Sequence, residues 1–384
     1  MKRTTILIAT LAGLVFGFSM SAIAQSPITI DVHSLGPQVG EYVPNFNLPD
    51  QNGQVQTLDS IMGPNGAMLL FHRSADWWPY CKAQLVELED RLQELEDSGI
   101  GVAAISYDST RVLSDFAEKR GISFSLLSDK DSAVITEFGI LNTVVAEALG
   151  PRRDDPDVTA AVHKYVAASV FDSIQLRQMI KGTPFPGTFM LDAQGRVISR
   201  YFEEFYRERS TTSNVLLKAG IGLTPIAAIE GTTAQLKFTA YPSNTTVTNG
   251  TRFSLAVDVE PHPNMHVYAP GADKMGYRVV GFNMNSSDLV RFEPLNFPEP
   301  EIYHFKPLDE HVEVYQKPFT LLQEAVVNAS AEAEEIMEEL DALTLSGSFD
   351  YQACDDDICY LPVSIPITFT LELEHLDYQR VNQR

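Results

Sequence analysis

Three cysteines carry the redox chemistry open to this 384-residue chain. Cys81 stands alone in FHRSADWWPYCKAQL, residues 71–85, while Cys354 and Cys359 sit together in YQACDDDICYLP. A thiolate attacks peroxides and disulfides, and an odd count implies one pair plus one thiol left to react or exchange. Where a dithiol motif would place two cysteines three positions apart, this sequence has Trp78 and then Cys81. Dithiol exchange within that segment is therefore excluded. In extended chain Cys354 and Cys359 would lie about 16 Å apart, whereas a disulfide needs Cα atoms within about 7 Å. Asp355, Asp356 and Asp357 are good turn formers, so the chain can fold back into a cysteine-bridged hairpin. Closing so small a loop contributes only about 2 kcal/mol in the chain-entropy model, which is little for a purely structural staple.

The elements around Cys81 are those that expose a thiol. AMLLFHR is a continuous apolar run that reads as a buried strand, and a helix follows from Pro79, with Cys81, Leu85, Leu88, Leu92 and Leu95 on one face. Pro79 suits the first helical position and Gly99 the exit. Cys81 then falls in the first helical turn, where unpaired N–H groups and the helix dipole favour a thiolate. Arg73 and Lys82 could add to that field and Asp76 opposes it. The alternative is an ordinary core cysteine, because free cysteine is among the most buried residue types.

Further along, IGVAAIS, FSLLSD, GTFMLD and RVISRYF read as strands, the last two as a hairpin around Gly195. Helices are expected from Ser109 and over 132–138. Residues 141–181 interrupt this order with GPRRDDPD and then AAVHKYVAASVFDSIQLRQMI, long enough for one helix. That insertion reads as a surface element, with gating of a site as the alternative. Periodicity fades over 222–232, a predicted linker. Beyond it the period changes to two: Phe253, Leu255, Val257 and Val259 alternate inward, as do Ile367, Phe369, Leu371 and Leu373. The pattern predicts an α/β domain over 36–222 followed by an all-β sandwich over 233–375.

Composition narrows the partners. The formal charge of −23 makes nucleic acid and anionic membrane surfaces poor ones. The start MKRTTILIATLAGLVFGFSMSAIAQS combines basic residues, a short apolar run and a small-x-small ending at Ala22–Ala24, the pattern of a secretory signal. An exported protein without membrane insertion after cleavage is expected. His262 and His266, with Met265, lack the further ligands a metal site needs, so no metal is assigned. In FEEFYRERS, Glu203, Glu204, Arg207 and Arg209 read as a solvated charge cluster, or as an arginine supporting the Cys81 thiolate.

Two resemblances add to this. VGEYVPNFNLPDQNGQVQTLDS and AMLLFHRSADWWPYC, through Gly40, Pro44, Phe46, Leu48, Gly53 and Leu58, resemble the redoxin (AhpC/TSA, peroxiredoxin-like) branch of the thioredoxin fold. GTPFPGTFMLDAQGRV resembles the segment bearing that fold's cis-proline, which would be Pro186. The resemblance implies a peroxidatic role for Cys81 with Pro186 beside it; Arg73, Trp78 and Tyr80, close to Cys81 in sequence, are expected to contact substrate together with Pro186. Ser74 and Trp78 stand where the family has Pro and Thr, and an indole cannot accept the hydrogen bond that Thr would. YQACDDDICYLP, MHVYAPG and VEVYQ resemble the N-terminal periplasmic domain of the disulfide reductase DsbD, an immunoglobulin-like sandwich. That implies mixed disulfides at Cys359, with Cys354 as its partner. The cap loop of that family is shortened here to HFKPLDEH.

The sequence thus leads to an exported, periplasmic thiol redox enzyme without a cofactor, acting on peroxide or protein disulfides at Cys81. Resolution is expected from the Cys354/Cys359 pair, recharged by a membrane disulfide reductase or a small thiol. The rival is a binding or shuttle protein with an inert Cys81.

Overall fold

The computed structural model describes residues 30–381 except 168, 170–172 and 307–308. The secretory-type start lies outside the described residues. The first domain is a five-stranded sheet in the order Ser125–Ser128, Ile100–Ser106, Gly66–Phe71, Gly187–Leu191, Val197–Phe202. The first three strands are parallel and the last two join antiparallel. Gly66–Phe71 is buried along its whole length, as a central strand covered on both faces must be. Ala67, Leu69 and Phe71 enter one core with Phe138 and Phe189, while Met68 and Leu70 face the other with Leu85 and Phe116. This is the expected thioredoxin-type α/β arrangement.

The insertion differs from the single helix expected of it. It forms helices Val144–Leu149, Pro156–Tyr165 and Ile174–Ile180. Val144, Val158, Val162 and Tyr165 pack into the main core, so the segment is held against the sheet. The predicted helix from Pro79 runs to Asp90, and a separate one spans Leu92–Asp97.

The second domain is the expected β sandwich. One sheet runs 290–292, Phe319–Val327, Thr251–Pro261, Leu236–Pro242, Ile229–Thr232, and a facing one contains Val363–Leu373, Ala342–Tyr351 and Gly281–Met284. Phe253, Leu255, Val257 and Val259 meet Ile367, Phe369, Leu371 and Leu373 in one core. A smaller sheet, Glu301–Phe305, Glu310–Tyr315, His266–Tyr268, Ala353–Cys354, carries the cysteine hairpin. The predicted linker is shorter than expected, because Ile229–Thr232 already pairs with Leu236–Pro242.

The two domains share hydrogen-bonded structure. The short strand Arg209–Ser210 of the first pairs in parallel with Thr251 and Arg252 of the second. Ser254, on the face of its strand that alternation would give to solvent, is fully buried and donates to Asn214 Oδ1 of helix Thr212–Lys218. Among the described residues no helix is long and apolar enough to cross a membrane.

Candidate functional site

Cys81 lies in the first turn of helix Pro79–Asp90, with Pro79 at its start. The loop before it is ordered by a buried carboxylate. Asp108 accepts from Ser74 Oγ at 2.8 Å, from the Ala75 N–H at 2.7 Å and from Ser106 Oγ at 3.0 Å. Burial raises the Asp108 carboxyl above its usual range, opposed by His72 and by these donors. So Ser74, where the redoxin resemblance would have a proline, fixes the loop through a hydrogen bond instead.

Two donors converge on the Cys81 sulfur. The Arg73 backbone N–H lies 3.3 Å from Sγ and Arg209 Nη2 lies 3.5 Å from it. A sulfur acceptor at these distances gains most when it is a thiolate, since a charged partner roughly doubles the strength of a hydrogen bond. Arg209, held open in the sequence as a supporting arginine, is thus brought to the sulfur, while Arg207 turns to Ala329 O at 2.9 Å. Burial, reinforced by the neighbouring Arg209, pushes the Arg73 guanidinium down to about 9. Its side chain leaves the thiol and donates to Val166 O at 3.2 Å and to Tyr165 O, at the end of the insertion's middle helix. The insertion therefore lies against one side of the site through the Arg73 side chain.

Trp78 is half-buried and packs in tilted contact with Tyr80 at 5.5 Å and Tyr206 at 5.6 Å between ring centroids. The Arg73 guanidinium carbon sits 5.2 Å from the Trp78 ring centre and 5.6 Å from that of Tyr206. The indole thus packs as a platform for the Arg73 cation. Pro186 is buried, directly before the strand residue Gly187 that pairs with Phe71. It departs from expectation in one respect: no cis peptide bond occurs among the described residues, so Pro186 is trans.

The site is closed. Cys81 is 0% exposed. A segment after the last strand, Val363–Leu373, crosses back to the first domain beside the Cys81 loop. Arg380 Nε donates to Asp76 Oδ2 at 2.7 Å and the Val381 N–H to Asp76 Oδ1 at 2.9 Å. Lys82 Nζ donates to Gln379 O at 2.7 Å, and Asp377 pairs with Lys82 and Arg120. This segment bridges Asp76 and Lys82 on either side of Cys81. Stopping the chain after His375 is expected to speed alkylation of Cys81 in the folded protein by about tenfold, roughly 1.4 kcal/mol of opening free energy for partly exposed pairs. Thiol labelling under native conditions checks this, and an unchanged rate would mean that the cover lies elsewhere.

The second pair is a disulfide, Cys354–Cys359, with Cα atoms 4.1 Å apart. Cys354 is fully buried and Cys359 exposed. The Tyr268 hydroxyl lies 2.8 Å from Cys354 Sγ and 3.1 Å from Cys359 Sγ. Burial raises the Tyr268 phenol well above its ordinary value, so it stays a donor to a leaving thiolate. His266 pairs in register with Cys354, and the His262 ring bonds Thr233 O.

The arrangement does not bring Cys81 and the pair together. The first domain docks at the Thr251 end of the eleven-residue strand Thr251–Pro261. The hairpin belongs to the other end: Tyr351 bonds Thr233, and Leu236 pairs with Pro261. Eleven residues of strand span on the order of 30 Å, several times disulfide reach. The sequence could not give this distance, because it depends on which end of the sandwich the first domain covers.

Family comparisons agree with both halves. Residues 39–200 match the model of the AhpC/TSA family, and residues 235–370 that of the N-terminal domain of thiol:disulfide interchange protein DsbD. Peroxiredoxin Bcp of Escherichia coli K12 is 37% identical over 103 residues, 27% of this chain and 65% of that protein's length. A putative peroxiredoxin bcp of Coxiella burnetii is 32% identical over 104 residues, 27% of this chain and 68% of that one. The crystal structure of peroxidoxin BcpB from Mycobacterium tuberculosis aligns with 44% of this chain and 88% of its own, at 24% identity and a TM-score of 0.33. The chain belongs to the peroxiredoxin (AhpC/TSA) family, with a domain of the DsbD N-terminal type following the peroxiredoxin one.

Proposed function

We propose that this protein is an exported, periplasmic thiol peroxidase whose nucleophile is Cys81. The observation that carries the reading is the convergence of the Arg73 N–H and the Arg209 guanidinium on the Cys81 sulfur at a helix N-terminus. The thiolate attacks the nearer peroxide oxygen, which keeps its proton, the O–O bond breaks, and the sulfur becomes a sulfenic acid while the distal oxygen takes a proton from solvent and leaves as water or an alcohol. One thiol then condenses with the sulfenic acid to a disulfide, releasing water, and a second thiol restores Cys81. The Cys354–Cys359 disulfide is a separate exchange centre. A partner thiolate attacks exposed Cys359 and Cys354 departs, stabilised by the Tyr268 hydroxyl. A membrane disulfide reductase or another protein thiol would supply those electrons. Resolution of Cys81 by Cys359 needs the domains to part or a second copy to approach.

The test is to add one equivalent of hydrogen peroxide to reduced protein and trap sulfenic acid for mass spectrometry. Wild type should gain the adduct on Cys81, and Cys81→Ser should consume no peroxide beyond the slow background. The second reading, a shuttle in which only the pair exchanges, is favoured by the complete burial of Cys81 beside an exposed Cys359. Unmodified Cys81 together with rapid turnover of the pair would select it.

A further inference from the structure

Arg209 reaches Cys81 from a strand only two residues long. Such a strand has little stability alone, and its partner belongs to the other domain. The Arg209 N–H donates to Gly250 O at 2.8 Å and the Thr211 N–H to Arg252 O at 3.0 Å. Arg252 then grips both flanks of Arg209. Its Nε donates to Glu203 Oε2 and its Nη2 to Glu208 Oε2, each at 2.8 Å, and Glu203 Oε1 accepts from Ser210 Oγ. Arg252 is 15% exposed and both glutamates 8%, so these pairs are shielded from solvent and salt. Burial favours a neutral Glu203, yet the Arg252 charge keeps its carboxyl below the ordinary range.

We propose that the DsbD-type domain is part of the Cys81 site, holding Arg209 on the sulfur through this shared strand, with Gly250 and Arg252 as positioning residues. The inference rests on the reading of Cys81 as a reactive thiolate. Neither residue is among the contacts of the sulfur; both act through Arg209. Gly250 is fixed by geometry: its φ is +76°, and an added Cβ would stand 2.2 Å from Arg207 O and 3.1 Å from Tyr80 Cδ1. An alanine there must push the Arg207–Arg209 backbone away, and Arg209 with it. A lysine at 252 keeps the charge but cannot hold both carboxylates with the planar fork of arginine. The second domain thereby has a role distinct from its own disulfide, one that survives replacement of Cys354 and Cys359.

The experiment uses the full chain carrying Cys354→Ser and Cys359→Ser, so that Cys81 is the one thiol. Gly250→Ala, Arg252→Lys and Arg209→Met are compared for the rate of reaction with hydrogen peroxide and for the pH profile of Cys81 alkylation. Both sandwich-side variants should lose roughly tenfold or more in peroxide rate, and their alkylation profiles should move to higher pH, the direction set by Arg209→Met. Arg252→Lys keeps the test intact if Gly250→Ala does not fold. A folded Arg252→Lys or Gly250→Ala protein with the unchanged rate and profile would overturn the proposal. If the parent chain ignores peroxide, the peroxidase reading fails, while the alkylation profiles still decide whether the second domain positions Arg209.

Discussion

Arg209→Met is expected to slow the reaction of Cys81 with peroxide by about 10²–10³, the usual cost of removing a preorganised donor from a site of developing charge. The side chain is 5% exposed and donates to Cys81 Sγ while a second nitrogen holds Tyr206 O at 3.1 Å. Its position is therefore set before substrate arrives. The donor that remains after the substitution, the Arg73 N–H, is a neutral dipole without the guanidinium's charge. Arg209→Lys should recover part of the loss by restoring charge without the fork geometry. Stopped-flow peroxide consumption measures both. A folded Arg209→Met protein with the parent rate would mean that the second contact on the sulfur is structural and that peroxide chemistry draws on other groups.

The second large effect is on stability in acid. His72, next to Arg73, is fully buried, and neither ring nitrogen has a hydrogen-bond partner among the described residues. Burial lowers it from 6.5 to about 4, opposed by Asp108 and assisted by Arg209. The unfolded chain takes up this proton as pH falls through 6.5, and the folded chain only near 4. Stability is therefore intact above the unfolded value and drains away across the window from 6.5 down to 4. A shift of that size corresponds to about 3 kcal/mol, a large share of an ordinary folding free energy. Denaturant melts should show the loss, and His72→Leu should flatten the profile in that window while leaving the carboxylate-driven fall below it. An equally steep profile in His72→Leu would place the acid sensitivity on other groups.

Much of the fold could be read from the sequence because apolar period reports burial directly. AMLLFH had to be a central strand, and the alternation from Phe253 to Val259 had to face a core. The docking of the two domains was hidden by the same logic. Ser254, Asn214, Thr211 and Asn244 are small polar residues, and on an alternating strand, a helix surface or a loop such residues read as solvent-facing. Here they meet each other: Ser254 Oγ donates to Asn214 Oδ1, and Thr211 Oγ1 to Asn244 Oδ1. A polar interface leaves no hydrophobic signature in a single sequence. The three cysteines announced their chemistry by type, whereas Arg209 was one of four charged candidates in FEEFYRERS. No local pattern separates the arginine on the sulfur from Arg207, which faces Ala329. The insertion reads as one helix on length alone, and nothing local marks the turn at Val166, whose carbonyl accepts from the Arg73 guanidinium.

Residues 376–381 follow every packed strand of both domains, yet they lie across the loop that bears Cys81. During synthesis the chain emerges in order, so the thioredoxin half can fold before this segment exists. The loop that bears Cys81 thus gains its contacts through Asp76 and Lys82 only after both domains have been made. For that interval Cys81 sits in a nascent chain with neither Arg252 nor Asp377 in place. An oxidant that reached the thiol then would meet it before the mature site had formed.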